Sequence, residues 1–316
     1  MKKILTLMIA ALALSIPAAA KTYRIKKVGD FPEFLALSPD GRTAYVTSFG
    51  TGELIAVDLG RRVVTRRVVV GSAPLGLAVT ADGKSAYVAC RDSGTVAVVE
   101  LGSFRVEANI VVGGAPNAVA LGAKGYRAYV TNFGRTREGV LHIVDTRDRS
   151  VLASVKMGLS PIALAVSPVD EMVYVANGGS NELWVVAPER QTVVAKVAVG
   201  EAPDGVAMTP DGSRVFVTNS RSNDLTVVDT KSRSALVSVP VGKSPFGVDV
   251  SPDGKRVFVV NTGAKTVSIL PVDLSLLTAK TVQIDKGCID IKVMPNNRTL
   301  VIVSEQSHSL LIAEVP

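Results

Sequence analysis

Cysteine and histidine are nearly missing from this chain, with two of each in 316 residues. So few soft ligands exclude a zinc ribbon, an iron–sulfur cluster or a multi-histidine metal centre. Without Cys-x-x-Cys-His there is no attachment site for covalent c-type haem. Aromatic residues are scarce too, at 5% with one tryptophan, so the core has to be built from aliphatic side chains. After the first twenty residues no apolar run approaches the roughly 20 residues that cross a bilayer as a helix. An excess of one charge is also lacking: 35 basic side chains stand against 28 acidic ones. With 47% hydrophobic residues, that balance excludes a disordered or acidic-tail protein, and mere basicity of this size is no argument for nucleic acid. No Gly-x-Ser-x-Gly elbow is present. His142 falls inside a strand-like segment and His308 stands beside Glu305, so no Ser-His-Asp arrangement is visible and no catalytic residue is assigned.

What is there begins with Lys2 and Lys3, an apolar stretch from Ile4 to Ile16, Pro17 and the small triplet Ala18, Ala19, Ala20. This order of basic, apolar and small residues predicts a cleaved export signal over residues 1–20. The expectation is a periplasmic or secreted chain, with residues 21–316 forming one domain and a monomer as the expected state.

That domain is one unit used seven times. Gly-x-(Ala/Ser)-Pro recurs with Pro74, Pro116, Pro161, Pro203 and Pro245, preceded by Phe31-Pro32 and followed by Gly287-Cys288; the spacings are 42, 42, 45, 42, 42 and 43 residues. Within a unit, Val-rich runs of four to seven residues alternate with turns such as Ser251-Pro-Asp-Gly254, in which Pro presets φ and Gly accepts positive φ. Four short strands per unit of about 40 residues predict a β-propeller, whose blades pack face to face around an axis. The expected fold is therefore all-β, a seven-bladed propeller of four-stranded blades. The last unit runs out after three strands, and Tyr23–Val28 is strand-like, so the N-terminal strand is expected to complete the last blade and close the ring.

Tyr129-Val-Thr-Asn132 recurs as Tyr45-Val-Thr-Ser48, Tyr87-Val-Ala-Cys90, Tyr174-Val-Ala-Asn177, Phe216-Val-Thr-Asn219 and Phe258-Val-Val-Asn261. These motifs, with Ser-Pro-Asp-Gly and Val-Val-Asp-Thr, resemble the YVTN repeats of YncE-like periplasmic or secreted propellers. The Gly-His and Trp-Asp landmarks of WD40 repeats are absent. Such scaffolds carry lactonases, lyases, surface-layer modules and binding proteins, so the resemblance implies a fold and leaves function to the site.

In a propeller the loop before each innermost strand and the loop after each second strand open on one face, which makes that rim the candidate site. It is expected to carry Phe49, Phe133 and Phe246 with Arg91, Arg135, Arg137, Arg221 and Lys265, and also Phe31. Aromatics interleaved with cations suit a protein or an anionic polymer, with single-stranded nucleic acid one such polymer. The leading reading is a non-enzymatic binding or scaffold protein without a cofactor. In the funnel, Glu33, Asn117, Asp204, Asp249, Asp290 and Lys292 break an otherwise small or apolar pattern; Asp249 with Lys292 reads as a structural ion pair. The alternative, implied by lactonase-like relatives, is an enzyme in which Glu33, Asn117, Asp204 and Asp290 hold a divalent cation such as calcium. Cys90 and Cys288 are expected to face the rim, with a disulfide left open. A basic cluster on the outermost strands, including Arg24, Lys26, Lys27, Arg66 and Arg67, is expected to protect the edge from strand addition.

Overall fold

The computed structural model describes residues 22–133 and 138–315. The expected export signal, Lys21, Arg135 and Arg137 lie outside the described residues. The chain forms seven four-stranded antiparallel sheets, and no helix among the described residues is long and apolar enough to cross a membrane. Blades 1 to 6 each use four consecutive strands. Blade 7 combines the last three strands with the first, in the order Cys288–Val293, Thr299–Ser304, Ser309–Glu314 and Thr22–Lys26. The closing register runs from Thr22 opposite Ala313 to Lys26 opposite Ser309. Innermost strands of successive blades touch, and that of blade 7 touches that of blade 1 (Pro32–Leu37), which completes the ring.

The repeat motif explains the packing. Successive side chains on a strand point to opposite faces of the sheet, so Tyr45 enters the apolar cluster between blades 1 and 2 while Val46 enters the one between blades 7 and 1. Phe216 and Val217 divide in the same way between the seams of blades 5 and 6 and of blades 4 and 5. One apolar cluster fills each seam. Aliphatic bulk therefore suffices, and the shortage of aromatics is no obstacle.

At the far ends of the innermost strands, tight turns return the chain. Ser251 Oγ donates to Asp253 Oδ1 at 2.6 Å, Gly254 N donates to Ser251 O at 2.8 Å, and Gly254 takes φ 68°. The basic edge cluster is more engaged than its expected role requires. Arg62 lies over the Tyr23 ring at 3.4 Å, Arg66 reaches Gly102 O at 2.7 Å, and Arg24 pairs with Asp285. These cations strap neighbouring blades together as well as charging an edge.

Candidate functional site on the rim face

Each innermost strand starts with an irregularity. Pairing shifts between Pro116 and Ala118, Pro203 and Gly205, Pro245 and Val248, and likewise in the other blades. A bulge of this kind leaves one residue outside the ladder and re-aims its side chain. The residue after each Pro is thereby released toward the channel mouth, and that is the slot of Glu33, Asn117, Asp204 and Phe246. The threonine of the repeat motif holds the distortion. Gly205 N donates to Thr218 Oγ1 at 2.8 Å, and that hydroxyl donates onward to Phe246 O of the next blade at 2.6 Å. Thr131 repeats the arrangement with Ala118 N and Ile162 O.

Three of the funnel polar groups latch blades to one another. Asn117 Nδ2 donates to Ile162 O at 2.7 Å, Asp249 Oδ2 accepts from Val293 N at 2.7 Å, and Asp290 Oδ2 accepts from Leu35 N at 3.0 Å. Lys292 Nζ stands 3.9 Å from Asp249 Oδ1, so the expected ion pair is present, bridging blades 6 and 7. Burial works against the ammonium of Lys292, yet Asp249 and Asp290 together hold its pKa above the ordinary lysine range. Glu33 is instead pushed toward its neutral form: burial first, then the charges of Glu305 and Asp290, raise its carboxyl to about 7. Asp204 is raised mainly by burial, against a hydrogen bond from Ser220 and the charge of Arg221.

Glu33, Asn117, Asp204 and Asp290 come from blades 1, 3, 5 and 7, and no group of three or more His, Cys, Asp or Glu side chains among the described residues is placed to hold a metal ion. With Asn117 and Asp290 each bound to a neighbouring backbone, these donors do not fit a shared cation.

Of the expected rim residues, Arg91, Arg221 and Lys265 are exposed, while Phe49, Phe133 and Phe246 are half-buried. Phe246 packs against the apolar cluster between blades 7 and 1. Cys90 and Cys288 do not face the rim. Both are fully buried free thiols, because the strand ends they occupy point into the seams, and burial raises them to about 11 and about 12.

The aromatic that the site presents most openly is Phe31, 50% exposed. The residue before the Pro slot repeatedly takes a left-handed conformation, and elsewhere it is small: Ala73, Ser160, Ala202, Ser244 and Gly287. Phe31 adopts φ 49° in the same slot. For a bulky residue this is a real outlier, at a cost of order 1 kcal/mol. Its ring stands 5.6 Å from the His308 imidazole at a tilt of 56°. His308 Nδ1 donates to Gly29 O at 3.2 Å, with Asp30 Oδ1 at 3.6 Å. The signal for Phe31 was available in the sequence as the one bulky residue in a small-residue slot.

Comparison with known proteins bears on the scaffold. A family model for the YNCE-like beta-propeller matches residues 19–209 and again 149–313. The chain belongs to this family. Among solved structures, the YncE-like ring is similar to "Kuenenia stuttgartiensis Hydrazine Synthase", with a TM-score of 0.82 at 21% identity, over 92% of this chain and 97% of that one. At that identity the likeness concerns the fold alone. No curated protein matches the sequence.

Proposed function

We propose that this YncE-like chain is an exported binding module, without catalysis of its own, that captures a protein partner on the rim where blades 7 and 1 meet. The observation that carries this reading is Phe31, a half-exposed aromatic held in a backbone slot that suits small residues. A strained position persists only where its surroundings enforce it, and such positions concentrate at binding sites. Exposed aromatics in a rigid frame are the usual energetic centres of protein interfaces. Against the catalytic alternative, both thiols are buried, and the Nδ1 proton of His308 is taken by Gly29 O. A second reading, an anionic polymer such as single-stranded nucleic acid, is favoured by the exposed Arg91, Arg221 and Lys265 on the same face.

The test places a photo-crosslinking phenylalanine analogue at position 31 and irradiates the protein in an envelope extract. A protease-sensitive, nuclease-resistant adduct is expected, and Phe31→Gly should lose capture of the same protein while its melting temperature is kept or raised. A nuclease-sensitive adduct would move the assignment to the polymer. Capture that survives in Phe31→Gly would remove the rim from the argument.

A further inference from the structure

The closing strand ends differently from the outermost strands of blades 1, 2, 4, 5 and 6. In blades 1, 2, 4, 5 and 6 the last paired residue of the outermost strand is followed at once by the residue whose N–H closes the loop: Val69 by Val70, Val111 by Val112, Ala198 by Val199, Pro240 by Val241, Gln283 by Ile284. In blade 7 the last paired residue is Lys26, and the closing N–H belongs to Val28, which donates to His308 O at 3.0 Å. Lys27 is an extra residue between them, and it takes the left-handed conformation, φ 62°. The other left-handed non-glycine residues of the outer loops recur blade after blade in the turn before the outermost strand or the loop after the second strand; Lys27 has no such counterpart.

The insertion builds one wall of a cavity of about 510 Å³, lined by Lys26, Lys27, Arg67, Asp30, Ser307 and His308 among others. That volume is in the usual range for small-molecule sites, roughly 300–1,000 Å³. Its walls are fixed. Val28 is fully buried, Arg67 Nη2 donates to Lys27 O at 2.7 Å, and Asp30 exchanges hydrogen bonds with Ser48 Oγ at 2.9 and 2.8 Å. A Cβ at Gly29 would stand 2.5 Å from Ser48 Oγ, so the loop has no room to shift. Three cations therefore converge on one cavity against the single lining carboxylate of Asp30. Arg67 is partly neutralised by Glu53 at 3.2 Å, whereas neither Lys26 nor Lys27 has an acidic partner within salt-bridge distance among the described residues. Two unneutralised ammonium groups side by side repel each other unless a counter-charge of about two joins them. His308, which lines the same cavity, carries the Phe31 ring against its own.

We propose that this cavity is a binding site for a phosphate monoester carried on a small, flat organic group. The dianionic phosphate sits between Lys26 and Lys27, and the organic part lies along His308 and Phe31. Ammonium groups act as point charges and suit a compact dianion better than a monoanionic carboxylate. The site does not depend on the protein-capture reading, since its assay needs no partner.

The experiment is calorimetric titration of the purified protein with phenyl phosphate, inorganic phosphate and benzoate, in the parent and in Lys26→Gln/Lys27→Gly. Glycine at position 27 keeps the left-handed backbone, and melting curves verify folding. Lys84→Gln/Lys255→Gln removes the same charge at turns on the opposite face and serves as the control. Phenyl phosphate should bind more tightly than inorganic phosphate and at least tenfold more tightly than benzoate. Its affinity should fall at least tenfold in the seam variant and less than twofold in the control. Proton resonances of the His308 ring should move on titration while those of His142, on a different blade, stay in place. Absence of binding at millimolar phenyl phosphate, equal affinity for benzoate, or undiminished binding in the folded seam variant would each overturn the proposal.

Discussion

Replacing Glu33 by Gln should stabilise the protein at pH 8 and change it far less at pH 5. The carboxyl is raised from an ordinary 4.5 to about 7 by burial, Glu305 and Asp290. Between those two values the folded protein keeps a proton that the unfolded chain has already released, so stability falls as pH rises from about 4.5 to about 7 and is level above it. At about 1.4 kcal/mol per tenfold change, the full difference is about 3 kcal/mol. Glu33 is only half-buried, and screening reduces the expected effect to about 1–2 kcal/mol. Glutamine is isosteric and cannot charge, so it should recover that amount at pH 8, or about 2–4 °C in melting temperature for a domain of this size. The assay is thermal unfolding of both proteins at half-unit intervals from pH 4.5 to 8.5. Glu305→Gln should shift the falling part of the parent curve toward lower pH, since it removes the largest charge acting on Glu33. A gain of equal size at pH 5 and pH 8 would mean that the glutamine packs better for reasons unrelated to charge. No gain at either pH would mean that Glu33 is solvated and ordinary, and the account of the funnel mouth would fall.

Ile25, 4% exposed in the apolar cluster between blades 7 and 1, should cost about 2–4 kcal/mol as Ile25→Ala; urea unfolding measures this, and a loss below 1 kcal/mol would show that the closing strand is dispensable. Cys90 and Cys288, with thiols raised by burial to about 11 and about 12, should resist alkylation at pH 8 in the native state and react only on unfolding. Rapid modification of either thiol in the folded protein would contradict the seam packing.

The ring was legible because a repeat period fixes both the number of blades and the place of each strand, and because the Tyr-Val alternation assigns a seam to each side chain. The closing strand followed from a deficit at one end and a strand-like run at the other. The rim was harder to read. Phe49 and Phe133 fall in the right loops, but their exposure depends on loop packing that sequence spacing does not encode, and Phe31 matters through its backbone conformation. The funnel pattern of Asp249, Asp290 and Lys292 stood out as charge in an apolar series, although nothing in the sequence says that each carboxylate takes a backbone N–H of the next blade. The burial of Cys90 and Cys288 is hidden from the sequence for a related reason: a residue at the end of a motif can still point into a seam.

The pairing of Thr22–Lys26 with Ser309–Glu314 also sets an order of events in folding. The strand made first on the ribosome is paired last, nearly three hundred residues later, and such non-local contacts slow the final step. Until then Thr22–Lys26 is a single strand with unsatisfied backbone groups, and blade 7 offers an open edge that another chain could occupy. The strand that waits is rich in positive charge, with Arg24, Lys26 and Lys27 in or beside it. Mutual repulsion between two unfinished copies would disfavour exchange of this strand between rings, so the composition of the closing segment favours closure within one chain over a chain of swapped rings.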